Sequence, residues 1–139
     1  MTFSRNLGER ILTVIWIGSL WTIGYMVAPT LFAVLDDRTL AGLVAGRLFT
    51  IGAYLGLLCG GLLLVMELAS RRSRWRLALL GFMLMLIAVG QFGLQPLMAD
   101  LKAQGLAEEA AFARLHGISA GLYLLTSLLG LVWVAFPRA

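Results

Sequence analysis

The sequence predicts an all-α integral membrane protein, an antiparallel four-helix bundle made of two repeated helical hairpins. Three observations carry that prediction. The 139-residue chain is 60% hydrophobic and 13% charged, with a mean hydropathy of +0.92, a composition unlike that of a soluble domain. Four apolar stretches, Ile11–Leu35, Leu48–Met66, Leu77–Ala99 and Leu115–Phe136, each approach or exceed the roughly 20 residues that a helix needs to cross hydrocarbon, and none contains Asp, Glu, Lys or Arg. The second half of the chain also echoes the first.

The first stretch follows a charged lead, MTFSRNLGER, much as a secretory signal core would. Its run of about 25 residues is longer than the roughly 7–15 of such a core, and no small-x-small site closes it, so a retained helix is expected. Pro29 falls within it. A proline inside a helix removes one amide donor and disturbs the bond to the carbonyl four residues back, here Tyr25. The turn into the second helix is expected at Asp37–Thr39, where Asp or Thr accepts hydrogen bonds from free first-turn amides.

The second stretch holds Gly52, Gly56 and Gly60 one turn apart, and the fourth holds Gly117 and Gly121 at the same spacing. Lipid is as apolar as leucine, so helices in a membrane associate through close backbone approach, and these faces are the expected helix-packing contacts. Cys59 lies mid-helix and, as the lone cysteine, forms no intrachain disulfide; a small packing residue is the simplest reading. Trp16, Trp21, Trp75 and Trp133 read as bundle or interface aromatics, and Met83 and Met85 as packing residues.

Between the second and third stretches runs RRSRWR, the source of much of the net charge of +4. Its first reading is topology and contact with anionic headgroups, not nucleic acid. Glu67 precedes Arg71 by four residues and is expected to form a helix-surface pair with it. With four spans, both termini share a side with this loop, and that side carries Arg5, Arg10, Arg71, Arg72, Arg74, Arg76 and Arg138. Basic residues resist translocation, so both termini are expected in the cytoplasm, of a bacterial inner membrane.

An offset of 67 residues takes Pro29 to Pro96, Arg47 to Arg114, Ile51 to Ile118, Ala53 to Ala120 and Leu55 to Leu122. Leucine matches are cheap in a membrane protein, but matched prolines and arginines are not. We therefore read one transmembrane domain of two hairpins, at about 9–69 and 76–136, related by a pseudo-two-fold axis along the membrane normal.

A polar layer is expected near the outer face. Pro29 and Pro96 expose the Tyr25 and Phe92 carbonyls, and Arg47 and Arg114 lie at similar depth, placed either to answer those carbonyls or to snorkel to headgroups. The second hairpin adds Gln91 and Gln95 one turn apart, and His116 where the first hairpin has Phe49. Arg47, Gln91, Gln95, Arg114 and His116 form the candidate cavity, and His116 with Met26 and Met98 forms a candidate metal set, because imidazole suits copper and thioether suits Cu(I). The alternative for His116 is an interfacial residue. One histidine and one cysteine do not make a structural zinc site, and no catalytic triad or phosphate loop is present, so an enzyme is not expected.

WIGSLWTIGYMVAPTLF, with Trp16, Gly18, Pro29 and Phe32, then GRLF with Phe49, Pro96 and FARLH with Phe112 and His116 resemble a four-helix membrane family of unknown function that includes the transmembrane protein 205 group. At longer range the pattern is similar to the copper resistance D proteins and the haem-binding protoporphyrinogen oxidase J proteins. The former resemblance implies metal passage, the latter haem and electron transfer. The first helix lacks the histidine of both, so His116 alone is carried over as a ligand, and Pro29 and Pro96 are architecture. Binding or passage of a small polar or metal ligand, with copper favoured over haem, is the leading expectation. The rival is a noncatalytic accessory subunit, in a homo-oligomer or larger membrane complex; a haem- or quinone-linked redox protein stands third.

Overall fold

The structure, a computed structural model, describes residues 2–70 and 73–137. Helix α1 (Thr2–Thr22) passes through a π-helical segment, Ile23–Val27, into α2 (Ala28–Val34), and together they form the first span. Helix α3 (Arg38–Ser70) is the second span. The third is α4 (Arg74–Ala88), a second π segment, Val89–Leu94, and α5 (Gln95–Ala103); the fourth is α6 (Ala110–Ala135). All four are long and apolar enough to cross a membrane, and no strand occurs among the described residues.

The helix ends follow from local chemistry. Leu35 leaves the helical region with φ −87° and ψ 122°, closing α2. Asp37 then accepts at Oδ1 from the Thr39 and Leu40 amides, 2.8 and 3.1 Å away, which satisfies two of the first-turn donors of α3. In the second hairpin Gly105 adopts φ +74°, a left-handed conformation that glycine tolerates without steric cost. The Leu106 amide reaches back to Leu101 O and the Gly105 amide to Lys102 O, the paired bonds that end a helix around such a glycine.

Each span packs on the next, and the fourth returns to the first: α1 against α3, α3 against α4, α4 against α6, and α6 against α1. The result is a closed antiparallel ring. Its buried core, Trp16, Ile17, Cys59, Leu63, Leu80, Met83 and Trp133, occupies the half nearer the termini and the Ser70–Arg74 connection. Many apolar side chains outside that core face outward, among them Val14, Ile51, Leu58 and Val65, which suits a bundle solvated by lipid.

Both prolines sit just after a π segment, as the second residue of α2 and of α5. There the backbone bonds lengthen to five residues: the Ala28 amide donates to Ile23 O and the Gln95 amide to Gly90 O. The offset that takes Pro29 to Pro96 takes 23–27 onto 90–94, inside the second π segment. A π turn widens the helix by one residue and frees a carbonyl, which is how a proline is absorbed without breaking the span.

Candidate functional site

The chemistry of the chain gathers at the two ends of the bundle. At the hairpin end, Trp21, Tyr25, Phe49 and Tyr123 form an aromatic cluster from three spans. Trp21 and Tyr25 have ring centroids 4.7 Å apart, while Phe49 meets Tyr123 edge-on at 5.1 Å. The Tyr123 hydroxyl donates to the Leu20 carbonyl, one turn before the first π segment. Gly24 makes room for that ring, since a Cβ there would overlap Tyr123.

The sequence-predicted polar layer is only partly assembled around this cluster. Gln91 and Gln95 are half-buried on the π-bulged part of the third span, and α6, which carries His116, packs on the same part. Arg47, Arg114 and His116 are exposed. His116 stacks on Phe112 at 6.2 Å with ring planes 8° apart, and Lys102 lies 5.4 Å over the other's neighbourhood, above the Phe112 ring. Position 49 thus faces inward, whereas its offset counterpart 116 faces out.

Of the two roles expected for Arg47 and Arg114, their exposure suits the one that turns them toward headgroups. Neither Arg47 nor Arg114 bonds the Tyr25 or Phe92 carbonyl among the described residues; the π turns re-register the backbone, and a tyrosine answers the Leu20 carbonyl instead. The three candidate metal donors do not share one environment. Met98 is buried, Met26 is 66% exposed, and no group of three His, Cys, Asp or Glu side chains forms among the described residues. The candidate donors thus differ in exposure, with Met98 buried and His116 and Met26 at the surface.

The predicted glycine faces differ between helices. On α3, Cβ atoms at Gly52, Gly56 and Gly60 would lie 3.3, 2.7 and 2.7 Å from Ile23, Trp16 and Leu84, so neighbours fill the glycine notches. At Gly117 and Gly121 on α6 a Cβ would meet nothing within 4 Å, and both residues are exposed. Among the described residues, then, no neighbour fills these two notches as neighbours do on α3.

At the opposite end lies a cluster that the sequence reading passed over. Arg76, 3% exposed, donates from Nε to Glu67 at 2.8 Å, from Nη2 to Glu9 at 2.5 Å and from Nη1 to the Phe136 carbonyl at 2.5 Å. Its guanidinium lies 3.6 Å over the Trp133 ring, whose Nε1 donates to Thr13 at 3.0 Å. Arg5 reaches across to the Met66 carbonyl. Glu9 comes from α1, Glu67 from α3, Arg76 from α4 and Trp133 from α6, so one guanidinium joins all four spans. A crevice of about 190 Å³ reaches it between α1 and α6.

Glu67, expected on the helix surface, is 1% exposed and turned toward Arg76; Arg71, its expected partner, lies outside the described residues, as do Arg72 and Arg138. A signal existed in the sequence. Glu9 and Arg76 are 67 residues apart, the separation that relates the prolines, and they carry opposite charges at the mouth of the first span of each hairpin.

Comparison with known families matches residues 11–107 to the profile of DUF4149, a domain of unknown function. Comparison with curated proteins and with solved structures gives no significant match.

Proposed function

The chain belongs to the DUF4149 family, and from that premise we propose that it is a noncatalytic membrane module that joins a larger membrane assembly through the outward face of α6. The observation that carries this reading is the contrast between glycine pairs. Gly56 and Gly60 on α3 receive Trp16 and Leu84, whereas Gly117 and Gly121, also one turn apart, are open. An interior helical glycine costs about 1 kcal/mol relative to alanine, and in lipid its return is close approach of another helix. The cluster at the other end supports an architectural role: the guanidinium of Arg76 is answered at Nε, Nη1 and Nη2 from within the chain.

The test is the size of the particle released from native membranes in a mild detergent. A larger assembly that dissociates in Gly117→Leu/Gly121→Leu, but not in Gly18→Leu, which also meets open space, supports the reading. A wild-type particle of one chain alone overturns it.

A second reading keeps the ligand site at the hairpin end: a small polar or metal ligand, copper before haem, as the sequence's distant resemblance to the copper resistance D proteins would imply. It is favoured by Gln91 and Gln95, half-buried on the π-bulged turn against α6. Elemental analysis of purified protein beside His116→Ala tests it, and metal equal in both sinks the role of His116. Placement of both termini in the cytoplasm and descent of the two hairpins from one duplicated unit complete the proposal; the matched π segments support the latter.

A further inference from the structure

The run RRSRWR at 71–76 covers the connection from α3 and the first turn of α4, with four arginines and no acid. Its charges are not equivalent. Arg76 is turned into the bundle and spent on Glu67, Glu9 and the Phe136 carbonyl, whereas Arg74 is exposed. Beside Arg74 a cleft of about 580 Å³ opens between the end of α3 and the start of α4, lined by Leu68, Ser73, Arg74 and Leu77. Ser73 is extended, with φ −142° and ψ 106°, and its hydroxyl makes no capping bond to α4. Trp75, half exposed, stands edge-on to Phe136 at 6.3 Å, as an aromatic does at the level of lipid headgroups.

This cleft is two-faced: a cation and a hydroxyl at one side, two leucines at the other. We propose that it holds an anionic phospholipid, the phosphate on Arg74 and Ser73 and the upper acyl chain along Leu68 and Leu77. Charge complementarity selects the occupant. Arg76 is engaged by the buried carboxylates, so the cation exposed at the cleft is Arg74, in a run that contains no acid, and a net negative headgroup is attracted there more than a zwitterionic one. The volume lies within the roughly 300–1,000 Å³ of small-molecule sites. The open leucine walls distinguish it from a site for free phosphate, which has no use for them.

The experiment is native mass spectrometry of the full chain, delipidated in detergent and offered phosphatidylglycerol and phosphatidylcholine in equal amounts. Phosphatidylglycerol is expected to be retained preferentially. Arg74→Gln should weaken its binding about fivefold, the usual effect of one basic residue beside an anionic surface, and Arg74→Lys should retain most of it. Equal retention of both lipids, or phosphatidylglycerol binding unchanged in Arg74→Gln, overturns the proposal. So does displacement of the lipid by an equal concentration of inorganic phosphate, which would make the site one for the anion alone.

Discussion

Glu9 and Arg76 stand 67 residues apart, the same separation as Pro29 and Pro96, and meet as an ion pair between the first span of one hairpin and the first span of the next. The pair is not symmetric in its surroundings. Arg76 also holds Glu67, so one cation serves two carboxylates at 13% and 1% exposure. Buried charge is tolerated here because the donors and acceptors are answered together with the Trp133 face and the Phe136 carbonyl.

That arrangement makes the bundle sensitive to change at Arg76. Arg76→Ala removes the cation that both carboxylates bond, and a loss of about 3–5 kcal/mol is expected. Thermal unfolding in detergent, followed by circular dichroism, reads the loss. Exchange of the first pair, Glu9→Arg with Arg76→Glu, should not restore stability, because Glu67 would then confront a carboxylate. Recovery of the wild-type midpoint by the exchange would show that Glu67 is not part of the network.

Tyr123 and Gly24 are coupled in a different way, by space. The ring rests where a Cβ at position 24 would stand, and its hydroxyl serves the Leu20 carbonyl. Gly24→Ala should cost about 1–3 kcal/mol through overpacking. Tyr123→Phe should cost about 1 kcal/mol through the lost hydrogen bond. In Tyr123→Leu the Gly24→Ala change should be nearly free, so a double-mutant cycle should give a coupling of opposite sign to the single losses; additive losses would sever the two residues.

What was legible in the sequence was whatever the bilayer dictates residue by residue. Span number and the apolar outward faces follow from the cost of polar groups in hydrocarbon, and the Asp37 turn from local backbone chemistry. The packing partner of each helix face was not legible. Gly56 and Gly121 sit in similar local sequence, yet Trp16 fills one and nothing among the described residues approaches the other within 4 Å, because helix rotation depends on side chains far away in the sequence. Arg76 was hidden for the same reason: within RRSRWR it is one of four arginines, and only the ring of spans turns it inward. The polar layer at the hairpin end failed as a group because similar depth does not bring Arg47, Arg114 and His116 to a common interior face.

The glycine contrast yields a prediction about the isolated chain. Gly60→Ala drives a methyl group to 2.7 Å from Leu84 and 2.9 Å from Trp16, and a loss of about 1–3 kcal/mol is expected in detergent. Gly121→Ala meets nothing within 4 Å and replaces a poor helix former, so the monomer should be unchanged or gain up to about 1 kcal/mol. Thermal midpoints of the two variants should therefore move in opposite directions or differ by several degrees.

Gly105 provides the last case, in which the backbone alone decides. Its Cβ would enter open space, so no neighbour resists Gly105→Ala. The cost comes from φ +74°, where an L-residue is strained by about 1–2 kcal/mol. The Leu106 bond to Leu101 O and the Gly105 bond to Lys102 O depend on that conformation, so strain there should loosen the last turn of α5. Hydrogen exchange is the measurement that separates this local effect from global destabilisation. In Gly105→Ala the amides of 104–106 should exchange faster while those around Leu63 and Leu80, in the core at the other end, keep their protection. Asparagine, which tolerates the left-handed region better than alanine, should recover part of the difference. Equal acceleration at both ends would mean that the hairpin turn and the buried core unfold as one unit.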